Sequence, residues 1–146
     1  MSFDETRQRF LDFRRRLYEQ HDLSAIDDIV HPHFTSHNPL VPGRGIAAYK
    51  AFVQGVFFRG VPDMRPVSQQ ILVEGERLMA MTNWQATHTG TFLGVPPTGK
   101  ALHFKTADLY LLRDGLLAEH WDIVDRLDAS LALGLIKPAG SAEKTP

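Results

Sequence analysis

Asp108, His120 and Asp122 are the residues whose types and spacing point most directly to chemistry. They lie in the stretch Phe104 to Asp125, FKTADLYLLRDGLLAEHWDIVD, where two β-like runs are joined through Arg113-Asp114-Gly115. Asp-Gly between apolar-rich runs is a strong hairpin signal. Gathered on one face of that hairpin, two carboxylates and an imidazole form an acid/base set. A carboxylate in an apolar cavity gains proton affinity, and a second carboxylate beside it raises one member of the pair further.

Whether they share a face depends on how the turn closes, since strand side chains alternate and a one-residue slip reverses all of them. A two-residue loop, Asp114-Gly115, sets Asp108 opposite Trp121. A three-residue loop with Gly115 in the left-handed region gives a G1-bulge hairpin that pairs Leu112 with Leu116, and this is the form expected. It places Phe104, Thr106, Asp108, Tyr110 and Leu112 with Leu116, Ala118, His120, Asp122 and Val124, a face apolar at its ends and ionisable in its middle, as a pocket lining would be. The opposite face carries Ala107, Leu109, Leu111, Leu117, Trp121 and Ile123 and reads as a packing surface. Asp108 and Asp122 then lie diagonal to each other with His120 between them. The competing reading of the polar middle is an ordinary solvated strand face.

The elements that must position this hairpin can be read from the rest of the chain. Ser2 to Glu5 has capping-box spacing and Phe10, Phe13 and Leu17 follow at helical intervals, so a first helix is expected from Asp4 to Gln20. Ser24 to Asp27 has a similar capping form and opens a short second helix that stops by His31-Pro32. HFTSHNPLVPG is a short strand or extended run, and Gly45 to Arg59 is a third helix with an apolar stripe from Tyr49 to Phe57. Strands follow at Val67 to Val73 and Arg77 to Thr91, then the hairpin, then a short amphipathic segment stopping at Gly134. Tightly connected strands make an antiparallel sheet, which helices gathered at the N-terminal end must cover on one side. The expected architecture is α+β: a cone in which a curved antiparallel sheet and N-terminal helices enclose a pocket. Residues 1–137 read as one domain and residues 138–146 as a polar, frayed tail.

Composition narrows the function. The 146 residues are 43% hydrophobic and 23% charged with a formal charge of −1, which carries no footprint for nucleic acid or an anionic membrane. Arg14-Arg15-Arg16 is a short basic cluster that reads as a solvated helix face. With no cysteine, disulfides, thiolate nucleophiles and zinc–thiolate sites drop out. The N-terminus lacks the form of a signal peptide and no apolar run approaches a membrane span, so a cytoplasmic protein is expected. Gly94 to Lys100 imitates a P-loop, but Pro96 and Pro97 lack the N–H groups that would cradle phosphate and Ala101 cannot hold Mg²⁺. His37, His88, His103 and His120 could join Asp108 or Asp122 around a metal. No pair has a recognised ligand spacing, and neither metal nor organic cofactor is expected.

HPHFTSHNP, THTGTFLGVPPTGK, RDGLLAEHWDIVD and Leu131-Ala132-Leu133-Gly134 together resemble a SnoaL-like polyketide cyclase, or ester cyclase, of the NTF2-like superfamily, over roughly Leu11 to Gly134. The resemblance implies an intramolecular aldol condensation without metal or Schiff base. It implies Asp122 as general acid/base and Asn38, from the Asn38-Pro39 element, as a pocket hydrogen-bonder. Cyclases of this kind carry an assisting histidine on the preceding strand, and this sequence has Asp108 there.

The reading that follows is an enzyme acting on a small carbonyl-containing, polyketide-like molecule. Asp122 takes a proton next to a carbonyl, Asp108 and His120 complete the catalytic set, and His37, Asn38 or His120 hydrogen-bonds the enolate oxygen. Trp84, His88 and Tyr110 join His37 and Asn38 as expected substrate-binding residues. The alternatives are a non-catalytic small-molecule-binding protein and a protein-interaction module. A homodimer is expected through Leu109, Leu111, Trp121 and Ile123, because one layer of helices covers only one side of a sheet.

Overall fold

A computed structural model of the chain describes residues 1–140. In chain order it contains helix α1 (Phe3–Gln20), helix α2 (Ser24–Ile29), strand β1 (Val30–Ser36), helix α3 (Gly45–Phe52) running into a π-helical segment (Val53–Phe58), strands β2 (Arg65–Glu74), β3 (Arg77–Thr87), β4 (Ala101–Arg113) and β5 (Leu116–Asp125), and helix α4 (Leu127–Ala132). Part of the expected polar tail lies outside the described residues.

The strands form one curved sheet in the order β1-β5-β4-β3-β2. Three of its pairings are antiparallel, while β1 joins β5 in parallel, a pairing the strand pattern had not indicated. The result is the expected α+β cone, a curved sheet with helices on its inner side. Along β3 the alternation is regular: Leu78, Ala80, Thr82, Trp84 and Ala86 are buried toward the helices, while Met79 and Met81 point outward. Phe10, Phe13 and Leu17 of α1 pack against this inner face. Val67, Leu72, Met81 and Ile123 stand exposed on or beside the outer one.

Local chemistry explains most boundaries. Ser2 and Glu5 form the expected reciprocal capping box, and α1 begins one residue earlier than expected. Ser24 does not cap α2; Asp22 does that work, accepting from the Ser24 backbone N–H at 3.0 Å. The helix expected over Gly45 to Arg59 changes character at Val53, where the wider π turn lets Phe52, Val56 and Phe57 line one cavity together.

The β4–β5 turn differs from the expected form in an instructive way. Arg113 pairs with Leu116, so the loop has two residues, and Asp114 and Gly115 take φ values of 53° and 74°, as a type I′ turn requires. Left alone, this turn would face Asp108 toward Trp121. A β-bulge intervenes: Leu112 pairs with Leu117 but Leu111 with Glu119, leaving Ala118 as the extra residue. The bulge restores the face and shifts the register, so that Asp108 lies directly opposite Asp122 and Tyr110 opposite His120, not diagonal as expected. It also exchanges the two residues nearest the turn: Leu117 is buried beside Leu112, and Leu116 is only partly covered.

Candidate active site

The cavity between the helices and the inner face is mostly aromatic and aliphatic. Phe13, Phe52, Phe57, Trp84, Phe92 and Phe104 are among its walls, with Asp108, His120, Asp122 and Asn38 at its polar side. The enclosed space is about 90 Å³. That is less than the roughly 300–1,000 Å³ typical of drug-sized ligand sites, so a multi-ring ligand needs the wall to move. Leu40 and Val41, in the connection between β1 and α3, are wall residues that lie outside helices and strands.

Asp108 is buried and satisfied on both oxygens. Oδ1 accepts from His120 Nε2 at 2.8 Å; Oδ2 accepts from Arg14 Nη2 at 3.1 Å and from Thr106 Oγ1 at 3.0 Å. Burial pushes this carboxyl up, but the His120 hydrogen bond and the Arg14 charge outweigh it and hold it below the ordinary aspartate value. Asp108 is therefore a fixed anion and not the raised member of a carboxylate pair.

Arg14, read from sequence as part of a solvated face, is in fact buried inside. Its guanidinium donates to Thr82 Oγ1 at 2.6 Å as well as to Asp108, and it lies over the rings of Phe10 at 4.6 Å and Trp84 at 4.9 Å. The signal was present in the spacing, since Phe10, Arg14 and Leu17 fall at i, i+4 and i+7 on one helix face.

His120 is a bridge. With Nε2 on Asp108, its Nδ1 meets Ser36 Oγ at 2.8 Å, and its ring stacks on Tyr110 with centroids 4.7 Å apart. Since ionised Asp108 can only accept, Nε2 carries a proton. Ser36 sits at the end of β1, brought beside β5 by the parallel pairing, and its Oγ also accepts from the Asn38 N–H at 3.1 Å.

Asp122, half-buried, lines the same cavity. Asn38 Nδ2 donates to its Oδ2 at 2.7 Å, and Asn38 is itself oriented by the Leu40 N–H, which donates to Oδ1 at 2.9 Å. Two carboxylates facing each other across strands repel; here Arg14 and His120 compensate one and Asn38 holds the other. Among the described residues no protein donor reaches Asp122 Oδ1, which leaves this the one carboxylate oxygen of the pair free for a ligand.

The remaining expected residues divide. Trp84 and Tyr110 line the cavity, with Trp84 Nε1 donating to Thr106 Oγ1 at 2.8 Å. His37 does not: it lies outside, stacked on Trp121 at 4.9 Å with Nε2 2.8 Å from Glu119, because it directly follows Ser36, the last residue of β1, and faces the opposite side. His88 is fully buried away from the cavity, its two nitrogens meeting Thr98 Oγ1 at 2.9 Å and the Val95 carbonyl at 3.1 Å, where it pins the proline-containing connection between β3 and β4.

The profile of the SnoaL-like polyketide cyclases matches residues 8–133. The chain belongs to the SnoaL-like polyketide cyclase family. Its fold is similar to that of TsrD from Streptomyces laurentii, with 27% identity, a TM-score of 0.83 and coverage of 93% of this chain and 100% of that one. AclR from Streptomyces galilaeus, described as a candidate hydroxylase, is 25% identical with a TM-score of 0.80 and covers 93% of this chain and 100% of its own. A candidate polyketide cyclase from Acidithiobacillus ferrooxidans is 27% identical with a TM-score of 0.79, covering 94% of this chain and 100% of its own. No curated protein matches the chain. Arg14, Ser36 and Thr106, which complete this SnoaL-like site, were not expected as site residues, although strand alternation put Thr106 on the pocket face and helical spacing marked Arg14.

Proposed function

We propose that this SnoaL-like protein is an acid/base enzyme of cyclase type, acting without metal or organic cofactor on a small carbonyl-containing, polyketide-like substrate. The observation that carries the reading is Asp122: a carboxylate with one free oxygen, facing an apolar cavity and oriented by Asn38. In the reaction Asp122 takes a proton from carbon next to a carbonyl, and the electron pair of that C–H bond moves onto the carbonyl oxygen as an enolate. The enolate carbon bonds to a second carbonyl carbon of the same molecule, and Asp122 returns the proton to the new alkoxide. Related isomerisation or dehydration uses the same proton transfers. Asp108 and His120 hold the surroundings of Asp122 and do not themselves exchange protons with substrate, since both are engaged by protein partners.

Ligand atoms of Asp108, His120 and Asp122 lie within 4.8 Å of one another, a spacing that a metal ion could also use. Against that use, Arg14 already supplies the cation for Asp108, and His120 Nε2 is turned to Asp108. The competing function is a non-catalytic binding protein, favoured by the apolar walls. The two are separated by incubating the protein with linear aryl poly-β-keto esters and following ring closure by absorbance, with and without EDTA. Closure that survives EDTA and is lost in Asp122→Asn supports the enzyme; EDTA sensitivity or an unaffected variant counts against it. We further propose a homodimer through Leu109, Leu111, Trp121 and Ile123; the exposure of Ile123 and partial exposure of Trp121 support it.

A further inference from the structure

The proton transfer proposed above needs a donor for the enolate oxygen, and of the residues first expected in that role Asn38 keeps a single N–H for it. His37 lies outside the cavity, Asn38 gives one of its two amide N–H groups to Asp122 while its Oδ1 accepts from the Leu40 N–H, and both nitrogens of His120 are engaged. Arg14 is committed to Thr82, Gln69 and Asp108.

Three phenols remain in the cavity wall: Tyr18, Tyr49 and Tyr110. Tyr110 packs against His120 and Phe10, and Arg14 acts directly on its hydroxyl. Tyr18 is only partly buried. Tyr49 differs from Tyr18 in its burial and from Tyr110 in that Arg14 makes no hydrogen bond to it. It is 8% exposed, its ring is clamped between Phe34 at 5.1 Å and Phe52 at 6.4 Å, and among the described residues its hydroxyl has no hydrogen-bond partner in the protein. A phenol buried to this degree ordinarily finds a partner. Tyr49 lines the cavity, and its oxygen is not sealed off from it by other side chains' hydrogen bonds.

We propose that Tyr49 is a further catalytic residue, whose hydroxyl donates to the substrate carbonyl oxygen and stabilises it as negative charge develops. The substrate class this selects is one with a carbonyl or enol oxygen on an aromatic or conjugated frame, since the walls around Tyr49 are rings. Burial pushes the Tyr49 phenol well above its ordinary value, so it stays a donor across the working pH range. Removing one such donor from an enolate or oxyanion costs on the order of 10²–10³ in kcat.

The inference rests on the acid/base reading, and binding separates the two. In the Asp122→Asn protein, which stands in for the state after the base has taken its proton, 4-nitrophenolate mimics the enolate and 4-nitrotoluene has its shape without the oxygen. Titrated at a pH where the nitrophenol is ionised, the protein is expected to prefer 4-nitrophenolate by about tenfold or more, as a hydrogen bond to a charged oxygen implies. Adding Tyr49→Phe, which keeps the ring packing, should reduce that preference to about threefold or less and leave 4-nitrotoluene affinity in place; adding Tyr18→Phe instead should not. A preference that survives Tyr49→Phe, or no preference at all, overturns the role of Tyr49 while leaving the cavity as a ligand site. Failure of both probes to bind overturns this role and the ligand-site reading together.

Discussion

Replacing Arg14 by Met tests whether a buried cation organises the site. Met replaces the apolar stem of Arg, so what is lost is chiefly the guanidinium. That group sits 3.1 Å from Asp108 with the two side chains 4% and 9% exposed. At that separation and an effective dielectric near 20, the attraction is about 5 kcal/mol before desolvation is counted. Removing one partner of a buried pair costs about 3–5 kcal/mol, because the other charge is left uncompensated. Arg15→Met is the matched control. Its pair with Asp12 has side chains 49% and 67% exposed and lies on the same helix, where such pairs contribute little. Urea denaturation should show Arg14→Met less stable by several kcal/mol and Arg15→Met unchanged within experimental error. The pH arm has a definite sign. Because the folded-state value of Asp108 is depressed, the stability it contributes is present above its unfolded value and is lost as pH falls through the folded one. Without Arg14 the folded value rises, so acid unfolding should begin at higher pH. Arg14→Met combined with Asp108→Leu should recover part of the loss, since neither charge is then orphaned. Equal stability of the Arg14 and Arg15 variants, or an unmoved acid limb, would refute the reasoning.

Two further outcomes are expected. Ser36→Ala removes the Oγ that meets His120 and accepts from the Asn38 N–H; with the His120 hydrogen bond worth about 1 kcal/mol, it should slow turnover about fivefold with KM little changed. Ser36→Thr should restore the rate, and a shift of the His120 imidazole NMR signals in Ser36→Ala but not in Ser36→Thr would show the effect acting through the ring. Sedimentation at micromolar concentration should find a dimer that Ile123→Asp converts to monomer without altering the far-UV spectrum; a monomeric parent protein would remove the proposed interface.

The sequence was most legible where one periodicity governed a whole element. Phe10, Phe13 and Leu17 announced α1, and alternation announced β3 and the hairpin. Local rules failed where two devices acted together: the two-residue turn was written in Asp114-Gly115, but nothing in Ala118 marks it as the extra residue that returns Asp122 to the pocket. The same limit applied to β1, because a parallel pairing joins Ser36 to His120 across 84 residues, a contact no short-range pattern encodes. His37 and His88 were chosen by type, and type alone did not say that one faces outward and the other braces a loop. Arg14 shows the converse. Its position on the apolar stripe outweighed the charge of its neighbours, and a helix face read residue by residue would have placed it inside.

The central claim, that Asp122 is a base for a carbon acid, is tested most directly by deuterium exchange. A simple aryl-fused ketone such as 2-tetralone, whose enolate is conjugated with its ring, held in D₂O with the protein, can be followed by proton NMR at the benzylic carbon next to its carbonyl. The account predicts exchange faster than in buffer, insensitive to EDTA, and reduced on the order of 10²–10⁴-fold in Asp122→Asn, the usual span for a general base. Exchange as fast in Asp122→Asn as in the parent protein, or abolished by EDTA, would contradict it.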